Sequence, residues 1–313
     1  MKLKRWFIVG LIIMIAGFTL VSTLVITNGF DIFKREITEN TYEITDSFES
    51  IDLSLRESDV TIKVSKDGTN KVVARQKKNY NLEVSVIDGI LTIKETKNNL
   101  FNLINFSSCE FDLYVTKQVF DKLLIDGSTS DVTLESGFKF KEIMIDLSTG
   151  DVKLYDLITD KLSIEVSTGS KCLKNLNVDG DVYIKSSTGK TNIENMTCDG
   201  KLTIIGSTSD TKIDNCTAVN IVIELDTGDC DLSNVISSEN LNIKIDTGDV
   251  ELDSCDGANI YIITSTGDVE GTILSGKTFD IHTSTGSISK PDNRNGGICQ
   301  VRTSTGDIEL SYN

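Results

Sequence analysis

Histidine and proline are nearly absent: the 313 residues contain one of each, His282 and Pro291. A single imidazole removes the Ser-His-Asp triads, His-rich zinc sites and haem held by paired imidazoles. Positive charge is also scarce, with 31 Lys and Arg against 47 Asp and Glu and a formal charge of −16. A protein that neutralises phosphates needs a basic face, so nucleic acid is not an expected partner. Aromatic residues make up 6% of the chain, apolar residues 39%, and there are 23 Gly. That balance allows a real core and points to many short strands and turns. Length alone suggests about two domains.

One long apolar run is present. Trp6 to Thr27 reads WFIVGLIIMIAGFTLVSTLVIT, uncharged throughout and preceded by Lys2, Lys4 and Arg5. At about 1.5 Å per residue it is long enough to cross a bilayer core of roughly 30 Å. The basic flank places residues 1–5 in the cytoplasm and the chain after Asn28 outside. A cleaved signal peptide would have a shorter apolar region and a small-residue cleavage pattern, which is not visible. The expectation is a single-pass cell-membrane protein with a transmembrane anchor at 6–27 and a juxtamembrane tether at 28–40.

The dominant feature is a repeat. A Ser-Thr-Gly-Asp-like phrase occurs ten times, with its Thr at 129, 149, 168, 188, 208, 227, 247, 266, 285 and 305. Every step is 19 or 20 residues. Around each phrase apolar residues alternate, as in Leu162, Ile164, Val166 before the turn and Val152, Leu154 after it, which is the pattern of strand, turn, strand. Gly supplies the turn conformation, and Ser, Thr and Asp can bond the turn backbone. A third apolar position follows at Leu157, Leu176, Met196, Cys216, Val235, Cys255 and Leu274. Each unit therefore has three short sides and one inward face. A unit of this size cannot close a core alone, but stacked units share one, with parallel strands about 4.8 Å apart. The sequence predicts an all-β fold, a parallel β-helix or β-solenoid of ten rungs over residues 128–313. Residues 41–127, with Phe48, Ile51, Leu53, Leu55 and the Leu91-Thr92-Ile93 strand, read as irregular first rungs that cap the exposed edge.

These residues resemble a bacterial family of β-strand-repeat proteins known as putative adhesins. The resemblance is carried by Phe48-x-x-Ile51-x-Leu53 with Asp59-Val60-Thr61-Ile62, by Leu91-Thr92-Ile93-Lys94-Glu95 and by the iterated STGDV phrases. It covers about residues 42–313. It implies a solenoid at the cell envelope, often membrane-anchored, with adhesion or envelope-stress roles, and it carries over no catalytic residues.

Chemistry is sparse. Asp226-Thr227-Gly228 and Asp246-Thr247-Gly248 match the aspartic-protease signature. They belong to the ten-member series and would lie on adjacent rungs without a cleft, so the pair is read as turn structure. Gly189-Lys190-Thr191 lacks the preceding Gly of a phosphate loop, because Ile184 stands there. The Asp column is a run of Asp210, Asp229, Asp249 and Asp268, followed in sequence by Ser287 and Asp307. Neighbouring charges about 4.8 Å apart repel by roughly 0.9 kcal/mol in water. Turn N–H groups can offset this. Alternatively Ca²⁺ can bridge the rungs, with Asp226 and Asp246 as further ligands. No other cofactor is expected. Of the seven Cys, at 109, 172, 198, 216, 230, 255 and 299, Cys216 and Cys255 fall at the third apolar position of the repeat and Cys230 at a Val position, so they read as small core hydrophobes, with no paired spacing to suggest disulfides. Lys66, Lys71, Arg75, Lys77 and Lys78 form a basic cluster that could meet anionic lipid or teichoic polymer. The KPDNRNGG segment, Lys290 to Gly297, is the one break in the period and reads as a turn.

The functional expectation is a membrane-anchored, extracytoplasmic binding or adhesin-like surface protein without catalysis. Its partners would be envelope polymers, cationic peptides or a protein. A purely architectural envelope component and a carbohydrate-active β-helix enzyme are the alternatives.

Overall fold

The computed structural model describes residues 37–77, 80–97 and 109–313, together with Met14 and Thr19. The expected anchor at 6–27 otherwise lies outside the described residues. Among those that are described, no helix is long and apolar enough to cross a membrane.

The unit Glu39–Asn313 is one parallel solenoid of about ten turns. Strand Val152–Thr168 shows how a turn is made. Its inward residues Val152 and Leu154 form a second side, Leu157 and Thr159 a third, and Leu162, Ile164 and Val166 the first side of the next rung. All are buried, and the intervening side chains face outward. Stacking is residue on residue: Thr149 pairs with Thr168, Thr168 with Thr188 and Thr188 with Thr208. The turn between first and second sides is built on Gly in eight of the ten rungs, with Ser130 and Ser209 in the other two. Gly169 has φ +146°, and a Cβ there would lie 1.9 Å from the Gly150 carbonyl oxygen of the rung below. Neither the conformation nor the space admits another residue.

The corner between second and third sides uses a different device, which the periodicity does not announce. Asp156, Asn175, Asn195, Asn215, Asn234 and Ser254 all adopt left-handed φ between 48° and 57°. Asn and Asp tolerate this conformation better than other side chains. Here they also form a ladder: the Asn175 amide donates to Asp156 Oδ1 at 2.6 Å, Asn195 to Asn175 at 2.9 Å and Asn215 to Asn195 at 2.7 Å.

The rungs do not stack in sequence order at either end. Near the carboxyl end, Thr266 pairs with Thr305, and Thr305 pairs in turn with Thr285. Strand Gly297–Thr305 therefore lies between Val250–Thr266 and Lys277–Thr285, and Ile308–Tyr312 lies between Val269–Ile273 and Ile288–Ser289. The outermost rung is 277–289, and the last rung in sequence is the one beneath it. The chain climbs at Gly276 and descends at Gly296, where a Cβ would lie 1.8 Å from the Gly276 carbonyl oxygen. The KPDNRNGG segment is thus the descending crossover as well as a turn. It also covers the end: Asn293 Oδ1 accepts the Phe279 N–H, and the Arg294 guanidinium lies 4.1 Å from the centre of the Tyr312 ring.

The amino-terminal end is interleaved in a similar way, with a further strand, Ile37–Ile44, paired to Asn70–Lys77. Ser50–Leu55 pairs with Ile90–Lys97 on one side and with Val119–Thr129 on the other. Ser58–Val64 lies likewise between Cys109–Val115 and Val132–Leu134. Asn70–Lys77 and Tyr80–Ile87 add antiparallel to the outer rung. The buried carboxylate of Glu95 holds the turn between the inner strands, accepting the Arg56 N–H at 2.7 Å and the Ser58 hydroxyl at 2.9 Å. Phe48, Phe120 and Phe140 stack across these rungs with centroids 5.8 and 5.4 Å apart.

One inward assignment from the sequence is corrected. Leu274 is 47% exposed, and Ile273 takes the core position in its place. The register shifts after Leu252, where Gly271 adopts φ +145°, so the rung reaches its third side one residue early.

Candidate functional site

The Asp column forms as a column, with one correction. Because the last rungs interleave, Asp307 follows Asp268 directly and Ser287 comes last, so the unbroken run is Asp210, Asp229, Asp249, Asp268, Asp307. Each carboxylate accepts the N–H of the next: Asp229 to Asp210 at 3.4 Å, Asp249 to Asp229 at 3.0 Å, Asp268 to Asp249 at 2.8 Å and Asp307 to Asp268 at 2.7 Å. The Ser287 N–H closes the series on Asp307 Oδ1 at 2.6 Å. That bond and the Ser287 hydroxyl hold the Asp307 carboxyl below the usual range. The ladder gives each charge a fixed donor and thereby offsets repulsion between neighbours.

Asp226 and Asp246 are placed on adjacent rungs on the other side of the Thr column, on an exposed ridge. No cleft joins the two Asp-Thr-Gly phrases. Among the described residues no group of three or more His, Cys, Asp or Glu gathers as a metal cluster.

A second acidic row runs beside the column. Asp231, Glu251, Glu270 and Glu309 stack in register on the outer face of the second side. Alternation explains why they join the first row: in Asp229-Cys230-Asp231, Asp249-Val250-Glu251, Asp268-Val269-Glu270 and Asp307-Ile308-Glu309 the middle residue points inward and both acids outward. That Asp-x-acid signal was present in the sequence and could have identified the row. Among the described residues none of these eight carboxylates takes part in an ion pair, whereas Asp210 is met by Lys190 at 3.1 Å. Two open hollows cross the face, of about 220 Å³ between the rows and about 420 Å³ over Gly271. The second lies where Gly271 stands in register between Leu252 and Leu310.

The basic cluster is partly neutralised within the fold. Lys71 pairs with Asp67, and Arg75 reaches Glu110 at 3.2 Å and Asp112 at 3.4 Å. His282 stands on the outermost rung, opposite Arg302 of the rung beneath. All seven cysteines are free, and all but Cys172 are buried. Burial pushes the Cys216 and Cys299 thiols up to about 12 and those of Cys109 and Cys255 up to about 11. A nucleophile needs the thiolate, so these sulfurs are inert core groups.

Comparison with known families matches the description Toastrack DUF4097 over residues 48–205 and again over 197–313. Among solved structures, a "putative adhesin" from Bacteroides fragilis is 12% identical, with 89% of this chain and 98% of that one covered and a TM-score of 0.42. A "putative lipid binding protein" from Parabacteroides distasonis is 13% identical, with 88% and 98% covered and a TM-score of 0.43. A "putative cell adhesion protein" from Clostridium sporogenes is 9% identical, with 89% and 100% covered and a TM-score of 0.21. A comparison with curated proteins finds no match.

Proposed function

The chain belongs to the Toastrack DUF4097 family, and from that footing we propose that it acts without catalysis, as a binding surface that presents the two-row acidic face to a cationic peptide or basic protein segment. The observation that carries this reading is the set of eight outward carboxylates with no ion-pair partner among the described residues. Unpaired like charges in register raise the local concentration of a polycation and speed its association, at a cost in self-repulsion that a bound cation relieves. The uncharged run Trp6 to Thr27 supports an anchored, extracytoplasmic position, with the solenoid as the exposed part.

The test is binding of fluorescent oligolysine to the purified chain at low and physiological salt, beside the quadruple variant D249N/E251Q/D268N/E270Q. Saturable binding that weakens at least tenfold in the variant supports the reading. Equal binding by both proteins, or none at low salt, overturns it. A parallel titration with millimolar Ca²⁺ tests the metal alternative, in which Ca²⁺ displaces oligolysine from the wild-type face.

A further inference from the structure

The interleaved ends have a mechanical meaning that does not depend on what the surface binds. In a solenoid stacked in chain order, the first and last rungs each have one neighbour, so a pull on either terminus peels them one ladder at a time. Here the last rung in the sequence has two, and so does the rung at 50–64 near the other end, although strand Ile37–Ile44 before it pairs with Asn70–Lys77. Gly306 donates to the Thr285 carbonyl above, and Gly267 donates to the Thr305 carbonyl from below, both at 2.9 Å. Ile308 donates to the Ser287 carbonyl and Val269 to the Asp307 carbonyl, again at 2.9 Å. The Asn313 N–H reaches the Ile273 carbonyl at 3.2 Å, and the Tyr312 hydroxyl accepts the Lys277 N–H at 3.0 Å.

At the other end, Thr129 donates to the Arg56 carbonyl at 2.8 Å and Asp131 to Asp59 Oδ1 at 2.9 Å, both from the rung above. From the outer side, the Gly89 carbonyl accepts the Glu49 N–H at 2.8 Å and Glu95 holds the turn. The Gly276 and Gly296 crossing ties the two final rungs topologically, since neither segment can lift off without moving the other.

We propose that the carboxyl end of the solenoid is a tension-bearing clamp, in which the rung that receives load is gripped from both sides. Tension entering at Asn313 must break two ladders together, whereas tension entering at the other end reaches Ile37–Ile44 and its pairing with Asn70–Lys77 before the gripped rung. The outermost rung, 277–289, serves as the outer jaw and carries no direct load.

Single-molecule pulling on the full chain tests this directly. One handle is fixed on an exposed side chain in the middle of the solenoid, as Thr217→p-azidophenylalanine, and the other either after Asn313 or at the exposed outermost-rung position, as Ser289→p-azidophenylalanine. The first rupture is expected at about twice the force with the Asn313 handle, because roughly twice as many hydrogen bonds give way together. Equal or lower force at Asn313 overturns the proposal. Native-state hydrogen exchange, which needs no substitution, gives a second reading. Amides of 299–312 are expected to exchange at least tenfold more slowly than those of 278–289, although they lie closer to the terminus. The reverse order, a fraying carboxyl end, also overturns it.

Discussion

Lys171 offers the sharpest quantitative prediction. It occupies the inward position that Val132 and Val152 hold in the two preceding rungs, and it is fully buried. Its amine reaches the Gly169 carbonyl at 3.0 Å and the Ser186 hydroxyl, and no carboxylate forms an ion pair with it among the described residues. Burial lowers its pKa from 10.5 to about 8, against a smaller opposing pull from the Asp151 charge. Between pH 8 and 10.5 the unfolded chain holds the proton and the folded chain does not, so stability rises with pH across that window. Below pH 8 both states are protonated and the cost of a buried ammonium is fully present. At 1.36 kcal/mol per pKa unit, the shift corresponds to about 3 kcal/mol. Lys171→Met keeps the length of the stem and removes the charge. It should stabilise the protein at pH 7 by up to about 3 kcal/mol, less what the two lost hydrogen bonds contributed, and the gain should shrink toward zero by pH 10. Urea unfolding followed by far-UV circular dichroism at pH 7, 8, 9 and 10, taken as the difference between variant and wild type, cancels the titration of other lysines. A difference that stays flat across this range, or a variant less stable than wild type at pH 7, would refute the argument.

Other expectations follow from the same geometry. Asp249→Asn keeps an oxygen to accept the Asp268 N–H and removes one charge from the column, so stability should change by less than about 1 kcal/mol. Asp249→Ala orphans that N–H and should cost about 1 kcal/mol more than the Asn variant, read by chemical denaturation. Gly169→Ala forces a side chain into a left-handed backbone and onto the Gly150 carbonyl, so a loss above about 2 kcal/mol is expected in a melting experiment. Alkylation of the native protein with iodoacetamide should label Cys172 first, with the six buried thiols reacting only in denaturant; mass spectrometry of the digested protein checks the order.

The repeat was legible because stacking demands it. One residue out of phase turns an inward side chain outward, so Leu162, Ile164 and Val166 and their equivalents hold a strict spacing, and Gly holds the turn in all rungs but the two with Ser130 and Ser209. The Asp column could be read for the same reason, since its residues share a phase. Rung order at the ends could not. Parallel pairing of the rung at 266 with the rung at 285 or at 305 satisfies the same periodicity, and the choice rests on the Gly276 and Gly296 crossing, which looks like ordinary turn composition. Leu274 was misplaced because a bulge at Gly271 changes phase without leaving a gap in the period. The second acidic row went unread for a different reason: its members follow the repeated phrase rather than belonging to it. Lys171 was invisible as a core residue because a charged side chain in a Val column reads as solvent-facing until burial is seen.

The ladders on the two corners bear on how such a molecule can change its reach. Every Asp–N–H and Asn–Asn contact is made only to the adjacent rung, and wherever Asp and Asn hold the corners each rung offers its neighbours the same groups it takes from them. A copied unit of 19 or 20 residues set between Thr149 and Thr266 would find its donors and acceptors already in place and would lengthen the rod by about 4.8 Å. No such freedom exists beyond the crossings, where each segment has a single fitted counterpart. Descendants of this chain are therefore free to vary as rulers do, in graduations added at the middle, with both ends kept.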